Sequence, residues 1–140
     1  MGRSETFEHT ADLGLRVFAT DLSDLFQTAA RGLFEVIVAN SDEVRPLVTE
    51  PVSLAAESAP DLLIDWLNEL IFRSETKHRV YVLFDVAVDA TGRRLEGTIG
   101  GEPIDRSRHV LDHEVKAATR HELCVRQDGE VWFAELILDI

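Results

Sequence analysis

Two segments of this 140-residue chain carry apolar residues at helical spacing, and each is set among stretches that alternate apolar with polar residues. The first is Leu22, Leu25, Phe26, Ala29, Ala30, Leu33, Phe34 and Ile37, at i, i+3, i+4, i+7 spacing. Asp24 with Gln27, or Asp21 nearer the start, offers its N-terminal cap. The second starts at Ser58-Ala59-Pro60-Asp61, with proline near the first helical position, and repeats the stripe at Leu62, Leu63, Trp66, Leu67, Leu70 and Ile71 as far as Ser74–His78. A lone helix of this length is marginal in water, so both stripes need a sheet to cover.

The strands are read from the period of two. Leu13, Leu15, Val17 and Ala19 alternate, as do Val80, Val82, Phe84, Val86 and Val88, and Thr91-Gly92 turns the chain back into Arg93 to Ile99, closed by Gly100-Gly101. Val44 to Glu57 is broken by Pro46 and Pro51, which points to an edge or bulged strand. Asp105 to Asp112 reads as a loop, and Glu114 to Thr119 and His121 to Arg126 as β structure. Asp128-Gly129 is a hairpin signal before a last strand from Val131 to Leu138. β structure after each helix hints at an internal duplication, though no sequence period accompanies it. The expected architecture is one α+β domain over residues 1–140, a two-layer fold with two amphipathic helices packed on one largely antiparallel mixed β-sheet.

Charge narrows the function. Fourteen Lys and Arg stand against 26 Asp and Glu, a formal charge of −12, with no basic run to meet a phosphate backbone, so tight direct nucleic-acid binding is not expected. A cation or a basic protein partner fits better. The single Cys124, in an apolar-alternating run, excludes an internal disulfide and reads as a packed structural thiol. No signal-peptide core or membrane-length apolar run is present, so the expected location is cytoplasmic, away from the membrane. There is no phosphate-cradling glycine loop, nucleophile elbow or zinc-type Cys/His spacing.

The residues that could carry chemistry lie near the two ends. If the segment Phe7 to Gly14 pairs with Leu138-Asp139-Ile140, the carboxylates of Asp12 and Asp139 and the main-chain carboxylate at Ile140 converge. All are ionised at neutral pH, with reference pKa values of about 3.3–3.9, and hard-oxygen donors of this kind select calcium, magnesium or manganese. The plainer reading of Asp12 is a turn hydrogen bond, and of an acidic pair on the last strand a solvated edge. Glu135, Ile137 and Asp139 share one face of that strand, opposite Trp132, Ala134, Leu136 and Leu138. Lys116 and His121 offer a cation and an imidazole, but face opposite ways in an unbroken strand, so joint action needs a bulge. His9 is as readily a structural hydrogen-bonding residue as a chemical one.

The turn His9-Thr10-Ala11-Asp12, the helix segment Ala29-Ala30-Arg31-Gly32-Leu33-Phe34, the run Leu62-Leu63-Ile64-Asp65-Trp66-Leu67-Asn68-Glu69-Leu70, the stretch Glu114-Val115-Lys116-Ala117-Ala118-Thr119-Arg120-His121 and the terminal Asp139-Ile140 together resemble the archease family, in order from near Phe7 to Ile140. The resemblance implies a small non-catalytic protein cofactor of the tRNA-splicing RNA ligase that joins ends bearing a 3′-phosphate or 2′,3′-cyclic phosphate. Such a cofactor promotes guanylylation of the ligase and its multiple turnover, in tRNA splicing or RNA repair. It also implies a divalent-metal site on Asp12, Asp139 and the carboxylate of Ile140, a functional role for Lys116, and His9 and His121 as nearby motif members. At Arg120 the family more often has an aromatic residue, which alters the surface around Lys116. Two other readings stay open: a chaperone or adaptor for RNA-modifying enzymes, and a metal-dependent phosphoesterase using the same carboxylates with His9 or His121 as acid or base.

Overall fold

Local capping chemistry sets where the helices begin. The Asp21 carboxylate accepts from the Asp24 amide at 2.8 Å and starts α1 (Leu22–Ile37), while the Ser58 hydroxyl accepts from the Asp61 amide at 3.3 Å and starts α2 (Ala59–Lys77), with Pro60 in its first turn. His78, at φ 53°, ends α2 in the left-handed conformation usually given to glycine. The structure is a computed structural model describing residues 2–9 and 12–140. Its strands are β1 (Arg3–His9), β2 (Asp12–Ala19), β3 (Val48–Ala55), β4 (Arg79–Val88), β5 (Arg94–Pro103), β6 (Ala117–Asp128) and β7 (Val131–Asp139), with a 3₁₀ turn at Ser41–Glu43.

The α+β class and the packing of two helices on β structure are as expected, but the strands divide into two sheets rather than one, and every pairing is antiparallel. The orders are β1-β2-β7-β6 and β3-β5-β4. The physical reason lies at the sheet edges. The outward amides of β4 are taken by α1, where Gln27 Oε1 accepts from Val86 N at 3.1 Å and Ser23 Oγ from Val88 N at 2.9 Å. The edge of β6 is taken by α2, where the Asn68 carboxamide donates to the Ala118 carbonyl at 3.1 Å and accepts from its amide at 2.9 Å. β3, the other edge of its sheet, carries Pro51, which has no amide to donate. Three of the four edges, β3, β4 and β6, are thus bonded to helices or interrupted by proline, which leaves β1 as the remaining edge.

Both helices contact both sheets, so the core is continuous. Trp66, Phe26, Phe34 and Tyr81 are fully buried at its centre. The Trp66 indole N–H donates to the Phe26 carbonyl at 2.9 Å and ties α2 to α1. Phe34 stacks on Phe84 and meets Tyr81 edge-on, both at 5.7 Å between centroids.

Two buried carboxylates staple the periphery. Glu50 on β3 accepts from Lys77, Arg79 and the Tyr81 hydroxyl at 2.7, 2.8 and 2.6 Å. Burial opposes its charge, but these donors outweigh burial and hold its pKa at about 2; burial and the Glu50 carboxylate together push the Tyr81 hydroxyl up. Glu102 on β5 accepts from the Arg45 amide at 2.7 Å, from Arg108 at 2.7 Å and from His109 at 3.1 Å. Its burial is again outweighed, chiefly by Arg108 and Arg45, and its carboxyl is held well below the ordinary range. The Nδ1 of buried His109 accepts from the Asp105 amide at 2.9 Å, which puts its proton on Nε2, facing Glu102. The expected Asp105 to Asp112 loop is irregular, and its inner side closes over this carboxylate.

Candidate functional site

The hairpin β1-β2 and the hairpin β6-β7 join through β2 and β7, and the register of that junction decides what meets. Asp12 pairs with Asp139 across β2 and β7, and Ala117 pairs with Asp139 on the other side. Directly opposed residues project from the same face, so the two carboxylates are cross-strand neighbours. Their face is the one opposite the core-facing Leu13, Leu15 and Val17 of β2 and Ala134, Leu136 and Leu138 of β7. The next row is Gly14 opposite Ile137, and the Phe7 ring lies over Gly14 so closely that a Cβ there would come within 2.1 Å of it. Arg16 covers Phe7 at 4.1 Å and pairs with Glu135. Ile137, read from alternation as solvent-facing, is therefore buried, and the acidic pair sits at the end of a dry strip.

Lys116 precedes β6, and its amide donates to the Asp139 carbonyl at 2.8 Å, which fixes its backbone beside the acidic row while its side chain stays exposed. Ile140 is half-buried and packs against the main core. Asp12, Asp139, Ile140 and Lys116 are thus brought to one sheet corner. His9 pairs with Asp12 in backbone register; its side chain, with Thr10 and Ala11, lies outside the described residues. His121 is not in this row. Between the Thr119–Ile137 and Cys124–Glu135 pairs, β6 carries four residues against one on β7, a bulge that holds His121 and places Glu122 at φ 56°. The bulge is tied by Arg120 to Asp61 and by the His121 amide to Thr119 Oγ1, and the Arg120 guanidinium lowers the Asp61 pKa. Arg120, the departure noted in the sequence, thus faces α2 rather than the acidic row.

The donor chemistry fits a divalent ion: both carboxylates offer hard oxygen, and a cation near them would offset the repulsion of like charges in direct register. Among the described residues no group of three or more His, Cys, Asp or Glu side chains is placed to hold a metal ion, so an ion here would need a further donor from the main chain or from a partner. Asn68 is the positioning residue that sequence reasoning missed. It stands within a motif that was read as helix, and its bond to Ala118, across 50 residues, leaves no local signal.

Fold and corner together define the class of the protein: a small α+β domain of two helices on two antiparallel sheets, whose first hairpin and last strand meet in a pair of opposed aspartates. The sequence profile of the Archease protein family matches residues 5–140, and the chain belongs to that family. It is 38% identical to the protein archease of Methanopyrus kandleri over 97% of this chain and 98% of that one, and 35% identical to that of Pyrococcus abyssi over the full length of both. Its structure is similar to the solution structure of protein 1598 of Methanobacterium thermoautotrophicum, with a TM-score of 0.84, 33% identity and 98% of each chain covered. A crystal structure from Thermotoga maritima, described as an archease and possible chaperone, is similar in fold, with a TM-score of 0.69 at 20% identity over 97% and 96% of the chains. No helix among the described residues is long and apolar enough to cross a membrane.

Proposed function

We propose that this chain is a protein cofactor that activates a GTP-dependent RNA ligase joining 3′-phosphate or 2′,3′-cyclic-phosphate ends. It does so by promoting guanylylation of the ligase and its repeated turnover. The observation that carries this reading is the register pairing of Asp12 with Asp139 beside Lys116, on a chain of the archease family. Asp12, Asp139 and the main-chain carboxylate at Ile140 would hold a calcium, magnesium or manganese ion. That ion supplies positive charge where a nucleotide phosphate carries negative charge. The chain's own residues do the presenting: Phe7 and Ile137 keep one side of the row dry, Asn68 and the Lys116 amide fix the β6 side, and the Lys116 ammonium is free to meet a phosphate or an acidic group of the ligase.

The test is multiple-turnover ligation of a 3′-phosphate RNA by the cognate ligase, with guanosine triphosphate and divalent metal, with and without this protein. Strong stimulation at substoichiometric protein is expected, with loss in Asp12→Ala, Asp139→Ala and Lys116→Ala variants that stay folded. Full stimulation by both aspartate variants would remove the acidic row from the function. The Thermotoga relative's description as a possible chaperone supports a second reading, an adaptor that stabilises RNA-modifying enzymes. Metal-independent protection of a client from aggregation would favour it.

A further inference from the structure

A cavity of about 720 Å³ opens between the C-terminal end of α2 and the segment Ile104–Val115. Its floor is apolar, from Ile37, Ile71, Ile104, Leu111 and Val115. Glu75, Asp112 and Glu114 stand in its lining with His78, His113 and a single guanidinium, Arg106. The three carboxylates of the lining are exposed, unlike the buried Glu50, which is held by Arg73, Lys77 and Arg79. Among the described residues Glu75 and Glu114 form no ion pair, and the ion pair of Asp112 is a 3.9 Å contact to its neighbour His113. One wall is pinned: the Asp112 and His113 amides donate to the Ile37 and Val36 carbonyls at 2.8 and 3.1 Å, and three residues later the Lys116 amide reaches Asp139. The groove therefore runs along the same backbone that leads into the acidic row.

We propose that this groove docks a protein segment that combines an apolar side chain with lysine or arginine, the apolar group on the isoleucine and leucine floor and the cation against Glu75 and Glu114. With three carboxylates against one guanidinium, the lining repels phosphate, which excludes a nucleic-acid backbone as the occupant. An apolar floor rimmed by three exposed carboxylates and one guanidinium has a net negative rim, which a segment carrying a cation beside an apolar side chain complements. Assigning the segment to the ligase rests on the function proposed above; the groove's preference for such a segment does not.

The probe is a pentapeptide alternating leucine with arginine and lysine, titrated into the isotope-labelled full chain and followed by amide chemical shifts, beside a control in which both cations are glutamate. Shifts confined to Ile71–His78 and Ile104–Val115, saturable and at least tenfold weaker in the double variant Glu75→Lys/Glu114→Lys, are expected. Absence of shifts, shifts spread over the whole acidic surface, or equal response to the acidic peptide would overturn the proposal. In the ligation assay the same variant should need at least tenfold more protein for half-maximal stimulation at an unchanged plateau. An unchanged half-maximal concentration would detach the groove from the ligase. A wild-type chain that fails to stimulate would instead sink the ligase reading, leaving the peptide titration to decide the groove.

Discussion

At the scale of residues, the acidic row is a balance between repulsion and use. Asp139 faces Asp12 in register, and like charges directly opposed in a sheet cost about 0.2–1 kcal/mol. Asp139→Asn should therefore raise the melting temperature slightly in chelator-treated buffer and abolish the rise that added calcium, magnesium or manganese gives the wild type. A thermal melt with and without metal reads both effects, and a wild type indifferent to all three ions would count against the site. Asn68 carries a different load. Asn68→Leu leaves the amide and carbonyl of buried Ala118 without partners, at a cost of about 1–3 kcal/mol, measurable by urea unfolding. The two aspartates were legible as candidates because each lies on a segment read as strand, but their meeting was conditional on β2 pairing with β7, which the fold supplies. Asn68, Glu50 and Glu102 were not, because each acts on partners that only the fold brings close.

At the scale of elements, the sequence disclosed both helices, the Ser58 start of α2 and the Asp128-Gly129 hairpin, and narrowed the α1 cap to Asp24 or Asp21 and the Pro51 strand to edge or bulged, of which Asp21 and the edge are found, since each depends on neighbours within a few positions. It did not disclose the division into two sheets, because alternation says which face of a strand is wet but not which strand lies beside it. Nor did it locate the β4 irregularity between Tyr81 and Leu83 or size the β6 bulge; counting by twos runs through both. The β4-β5 pair has a narrow tolerance that can be tested. A Cβ on Gly101 would stand 2.0 Å from the Val80 carbonyl oxygen, a backbone atom that cannot rotate away. Gly101→Ala should destabilise by about 1–3 kcal/mol or more, with hydrogen-exchange protection lost first in β4 and β5.

At the scale of the whole molecule, acid is the informative stress. A carboxyl held at about 2 in the fold, against an ordinary value near 4.5, contributes stability that is fully present above 4.5 and is lost as pH falls toward 2. Glu50 follows that course and Glu102 shifts in the same direction. Glu50→Gln should destabilise at neutral pH toward the low end of about 3–5 kcal/mol, because Lys77 and Arg79 remain partly solvated. The gap between variant and wild type should narrow between pH 4.5 and 2. Denaturant midpoints at pH 7 and pH 3 measure it, and a gap independent of pH would assign the stability to packing instead.

The helix side chains that close the sheet edges also govern how the protein behaves in a crowd. An open strand edge is adhesive toward any other open edge, and copies that stick this way grow without limit. Ser23 and Gln27 on α1 and Asn68 on α2 occupy backbone groups at the outer edges of β4 and β6, so at those positions the ladder that a second copy would extend is already capped. The three polar side chains that hold the helices on the sheets thereby also interrupt the edges along which strands of separate copies would join.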